Sequence, residues 1–151
     1  MKHLLSSLCL LIALLSVPAK AASPQRKFED YQWQNRVLVL ASLKDGAALK
    51  RQLAAIDGQE PGLLERDLVV IQLSGEASNV LFGDKYAPTA HDLRSTLAFD
   101  EKAHFEIVLV GKDGDVKLRS ITPLSIEKIF NTIDAMPMRL HEMQIQKKKT
   151  P

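Results

Sequence analysis

The chain has 151 residues, with 20 basic against 18 acidic residues and a single cysteine, Cys9. That length suits one domain. The near balance of charge excludes a broad basic footprint for nucleic acid, and a lone cysteine excludes an intramolecular disulfide framework.

In chain order, Lys2 and His3 precede an apolar run from Leu4 to Val17, and Pro18-Ala19-Lys20-Ala21 follows with small residues at alternate positions. This is the pattern of a cleavable secretory leader. The run is shorter than the roughly 20 residues that span a bilayer. Cys9 lies inside it behind Leu8, which does not fit a lipid-attachment site. Residues 1–21 are therefore assigned to a signal peptide, with cleavage near Ala21 or Ala22. A periplasmic or secreted location is expected, with no membrane span after cleavage. The leader removes Lys2, Lys20, Cys9 and no acid, so the remaining chain is neutral and cysteine-free.

Residues 22–34 read as an N-terminal arm whose Tyr31 and Trp33 are expected to cover the sheet edge. Residues 35–137 carry the domain. Arg36-Val37-Leu38-Val39-Leu40-Ala41 is a continuous apolar run after one arginine, the mark of a strand buried on both faces. Ala48, Leu49, Gln52, Leu53 and Ile56 recur at helical spacing. That helix is expected to stop near Asp57-Gly58, with Pro61-Gly62 marking a loop. Asp67 to Leu73 reads as a second buried strand, and the helix between the two implies that they run parallel.

Ser74 to Pro88 shows no clear period. Thr89 is placed to cap a short helix, helped by Asp92 in its first turn. Phe105 to Val110 and Val116 to Ser120 flank Lys112-Asp113-Gly114-Asp115, a hairpin turn with Asp-Gly at its centre. Ser125 is placed to cap a last helix with Ile126, Ile129, Phe130 and Ile133 on one stripe. Pro137 is expected to end or kink it. Residues 138–151 read as a helical or flexible tail, with Met136, Met138 and Met143 packed on the domain and Lys147-Lys148-Lys149 in solvent.

The resulting order is β-α-β-α-β-β-α. It gives an α/β fold of thioredoxin-like type, a mixed four-stranded sheet with helices on its faces. The segments "NRVLVL", "ERDLVVI", "VLVGKDGDVKLRS" and "IDAMPMRLHEM" resemble a family of exported bacterial domains of unknown function with a thioredoxin-like fold. That family is similar to modules in vertebrate secreted proteins that also carry sushi repeats. The resemblance covers about residues 33–143. It implies a fold and an exported setting, not a reaction.

Thioredoxins and peroxiredoxins keep a nucleophilic cysteine just after the first central strand, beside a helix N-terminus that lowers its pKa. Here that place holds Ser42-Leu43-Lys44-Asp45. Thiol–disulfide exchange requires a thiolate, so the cleaved chain is excluded from it. His91, His104 and His141 are too dispersed for a metal-ligand pattern. Asp113 and Asp115 lack the rest of a calcium loop, and no phosphate-binding glycine motif or nucleophile elbow is present. No cofactor and no metal are expected.

The residues left as a ligand or partner surface are Arg36, Lys44, Asp45, Lys112, Asp113, Lys117 and Arg119. Arginine and lysine could hold a carboxylate or phosphate, or simply protect an edge strand. The leading expectation is a binding module for an unidentified protein or a small anionic ligand. The alternative is a non-thiol enzyme with an acid/base or anion-binding site near Asp45 and Arg119.

Overall fold

The computed structural model describes residues 26–44 and 46–149. The segment expected to be a leader, its expected cleavage position, the first residues of the arm, and Asp45 lie outside the described residues.

The sheet has five strands in the order β3-β2-β1-β4-β5. They are β1 (Arg36–Ser42), β2 (Leu68–Ser74), β3 (Ala77–Phe82), β4 (Phe105–Val110) and β5 (Val116–Ser120). Strand β1 pairs parallel to β2 and antiparallel to β4. The central strand is buried at every position, as its unbroken apolar run requires. The expected four strands are corrected to five. The fifth is β3, a hairpin partner of β2 joined through Gly75-Glu76.

The helices are α1 (Ala47–Ile56), α2 (Glu60–Glu65), α3 (Ala90–Leu97), α4 (Ile126–Asp134) and α5 (Pro137–Lys149). Strand alternation sorts the core into two layers. Val37, Val39, Ile71, Leu73 and Val108 face α3 together with Phe28 and Tyr31 of a short 3-10 turn, Phe28–Tyr31. Leu38, Leu40, Val70, Ile107 and Leu109 face the other way, against Leu49 of α1, Leu63 of α2, and Ile129 and Ile133 of α4.

One expectation at a proline is corrected. Pro61-Gly62 lies inside α2 and not in a loop. Proline is tolerated in a first helical turn, where its missing N–H has no partner to lose. Gly62 is there for space: a Cβ would come within 2.7 Å of the Phe130 ring. Helix α4 ends at Asp134, Pro137 opens the separate helix α5, and the tail is helical through Lys149. Of the two arm aromatics, Tyr31 is core, whereas Trp33 is 64% exposed. The hairpin turn is as read, with Gly114 at φ +86°.

Candidate functional site

The place that carries a thiol in redox relatives of this fold is the exit of β1. Ser42 ends that strand and is buried. Its hydroxyl lies against the carbonyl oxygens of Lys44 and His104, and Leu43 N donates to His104 O at 3.3 Å. These contacts tie the β1 exit to the β4 entry. Between them and α1 sits a cavity of about 260 Å³ lined by Ser42, Lys44, Gly46, Ala48, His104 and Phe105, among others. No side chain among the described residues caps α1 at Gly46, and a helix start carries amide donors that its own backbone does not use. The Lys44 ammonium is exposed, with no ion pair among the described residues. The cavity wall therefore includes Lys44 and His104 beside the start of α1, and no cysteine. That donor set accommodates negative charge.

The other cations chosen from the sequence, Arg36, Lys112, Lys117 and Arg119, are already engaged and do not form one patch, and Arg66 and Arg139, which were not chosen, join the first two in one network. Arg36 is fully buried, and both its Nη atoms reach Glu142 at 3.2 Å. Lys112 donates to the same carboxylate at 2.9 Å and to Asp67 at 2.7 Å. Arg66 stacks on the Phe130 ring, 4.1 Å from its centroid, and donates to Asp134 at 2.6 Å. Arg139, also fully buried, reaches Asp134 at 3.2 Å and the backbone oxygen of Glu65 at 3.0 Å.

This network locks α5 and the α4 end to the start of β1, at the opposite end of that strand from Ser42. Burial alone would raise the Asp134 and Glu142 carboxyls. Hydrogen bonds from Arg66 and Arg139, and from Lys112 and Arg36, outweigh it and hold both below the usual range.

Lys117 and Asp113 form a pair of their own across the hairpin, at 2.5 Å, with Asp115 N also donating to Asp113 at 3.2 Å. That hydrogen bond raises the Lys117 pKa. Arg119 is held by the buried carboxylate of Glu106 and donates to Leu97 O at 2.6 Å. The structure thus brings Arg36 and Lys112 together on Glu142, leaves Lys117 and Arg119 apart from them, and gives Lys44 no ion pair among the described residues.

Sequence reasoning missed the acids that occupy these cations: Glu65, Asp67, Glu106, Asp134 and Glu142. One legible signal was the Arg139–Glu142 spacing of three, which puts both on one helix face. It also missed His104, whose place on the cavity depends on the β1–β4 register. Among the described residues, no group of three His, Cys, Asp or Glu side chains is placed to hold a metal. No described helix is long and apolar enough to cross a membrane.

A cleft of about 650 Å³ lies between the 3-10 turn, α3 and the hairpin tip. Several of its polar groups hold the arm in place: Asp92 accepts from Phe28 N at 2.7 Å, and Gln32 donates to Asp113 O at 2.9 Å. Arg26, also on its wall, stacks 4.2 Å from the Tyr31 ring centroid and pairs with Asp84 at 2.5 Å.

Comparison with known proteins places these features in context. Residues 27–142 match the family model described as Domain of unknown function (DUF4174). The chain is similar to coiled-coil domain-containing protein 80 of Danio rerio, 29% identical over 144 residues. That alignment covers 84% of this chain but only 17% of the fish protein. Among solved structures it is similar to the reduced 2-Cys peroxiredoxin of Plasmodium vivax, with a TM-score of 0.53 and 14% identity over 77% of this chain and 84% of that one. Plasmodium yoelii thioredoxin peroxidase I gives 0.52 and 18%, over 77% and 79% of the two chains. These likenesses show the fold.

Proposed function

The chain belongs to the family described as Domain of unknown function (DUF4174), and from that premise we propose that it is an exported binding module that uses a thioredoxin-like platform without redox chemistry. The observation that carries this reading is the cavity at the β1 exit, where Lys44 and His104 stand beside the start of α1 and no cysteine is present. A peroxidase or disulfide exchanger needs a thiolate there. A pocket lined by a lysine that has no ion pair among the described residues, beside a helix start, suits a small anion or an acidic side chain of a partner protein. Export is supported by the leader-like pattern of residues 1–21, a basic start, an apolar run and small residues at Ala19 and Ala21. No observation favours an acid/base enzyme built on Arg119, whose guanidinium is already held by Glu106 and Leu97 O.

The test is thermal unfolding of the full chain in inorganic phosphate and in acetate at constant ionic strength. A ligand at about 100 times its dissociation constant adds about 2.7 kcal/mol to stability. The reading expects a rise in Tm that Lys44→Ala removes and Arg119→Ala leaves in place. A rise untouched by Lys44→Ala would put the anion elsewhere, and the absence of any rise would remove the small-anion reading. The mass of the exported protein checks the leader, with cleavage expected after Ala21 or Ala22.

A further inference from the structure

We infer that the outer edge of β3, with the apolar groove beside it, binds an extended peptide segment carrying apolar side chains and an adjacent lysine or arginine. This surface is separate from the cavity at the β1 exit and is not part of the reading above.

Strand β3 is an edge of the sheet. Its inner side pairs with β2, and among the described residues no backbone group of Ala77–Phe82 bonds to anything on its outer side. Such an edge is a ready template for another strand, and proteins usually blunt it with charge. The opposite edge is blunted in that way, since β5 carries Lys117 and Arg119. The six residues of β3 include no charged side chain.

Next to β3 lies a groove of about 390 Å³ lined by Leu53, Ile56, Leu63, Val70, Leu81 and Phe82. Leu81 is 43% exposed there. The only charged residues on its wall are Asp57 and Glu60, and neither has an ion pair among the described residues. Asp57 follows the last turn of α1, where the helix dipole already concentrates negative charge. Both effects favour a cation.

An added strand would satisfy the β3 backbone, send alternate apolar side chains into the groove, and set its cation against Asp57 and Glu60. A second copy of this chain is a poorer occupant. Its own β3 would bring no positive charge to that acidic rim.

The probe is a short acetylated Leu/Val peptide bearing one lysine, titrated into the full chain labelled with ¹⁵N and methyl ¹³C. Amides of residues 77–82 and methyls of Leu53, Ile56 and Leu81 should shift. Replacing the peptide lysine with glutamate should weaken binding at least about tenfold. Asp57→Lys with Glu60→Lys should reverse that preference. N-methylation of alternate peptide amides, which needs no protein variant, should abolish binding. Equal affinity for the lysine and glutamate peptides would overturn the proposal, as would shifts confined to other strands. Self-association through β3 without peptide would assign the edge to a second copy instead. Lys44→Ala should leave peptide binding unchanged, so the two surfaces fail independently.

Discussion

Arg36 and Glu142, 106 positions apart, meet through a two-pronged contact in which each Nη atom lies 3.2 Å from a different carboxylate oxygen. Arg36 opens the central strand and Glu142 sits midway along the last helix. The only residue of α5 that is fully buried is Arg139, so charge pairs and not apolar packing hold this helix to the sheet.

Removing one member of such a pair leaves a buried charge alone. Glu142→Ala should cost about 2–4 kcal/mol, because Arg36 then keeps only the Arg66 carbonyl, at 3.0 Å. Arg36→Met should cost less, since Glu142 retains Lys112 and is partly exposed. Urea unfolding of the two variants checks the order.

Acid should release the same contacts. Folding holds Asp134 and Glu142 below their ordinary values of 3.8 and 4.5. The unfolded chain therefore takes up protons first as pH falls. The contribution of the two carboxylates is complete above those ordinary values and is lost as pH drops through the lowered folded ones. Stability should be level above about pH 5 and fall below it. Asp134→Asn and Glu142→Gln should each flatten the acid limb while lowering the plateau.

The alkaline limb should depend on Tyr31. Burial, reinforced by the Asp84 carboxylate, pushes its phenol far above the ordinary value of 10.0. The stability it contributes is complete below that value and is lost as pH rises toward the folded pKa. Absorbance titration should show Tyr31 ionising only as the protein unfolds, and Tyr31→Phe should remove that late component.

The helix caps make a local test. Thr89 Oγ1 accepts from Asp92 N at 3.0 Å, and Ser125 Oγ accepts from Lys128 N at 3.2 Å. Thr89→Ala and Ser125→Ala should each destabilise by about 1 kcal/mol. Their effects should add in the double variant, because the two helices lie on opposite faces of the sheet.

These caps, β4, β5 and the central strand could be read from the sequence because each rests on local chemistry or a clear period. Strand β3 could not. Ala77-Ser78-Asn79 is small and polar, and the irregular register near Val70/Ile71 leaves Val80 packed on one layer and Phe82 on the other. Its alternation is therefore broken. Helix α2 was hidden because Pro61-Gly62 serves its first turn and the Phe130 contact, requirements that a turn would share. The candidate cations were visible as residues but not as pairs. Arg36 finds Glu142, and Lys112 finds Asp67, only through long-range packing. Lys44 stood out in the sequence by its position after the first strand, and that position is what places it at the cavity.

The most direct test of the central claim, that the β1 exit binds and does not exchange thiols, is an amide NMR titration of the full chain with inorganic phosphate. The account predicts saturable shifts at Lys44, Ala47 and Ala48, lost in Lys44→Ala. Shifts centred instead on Lys112, Lys117 and Arg119, with Ala47 and Ala48 unmoved, would contradict it.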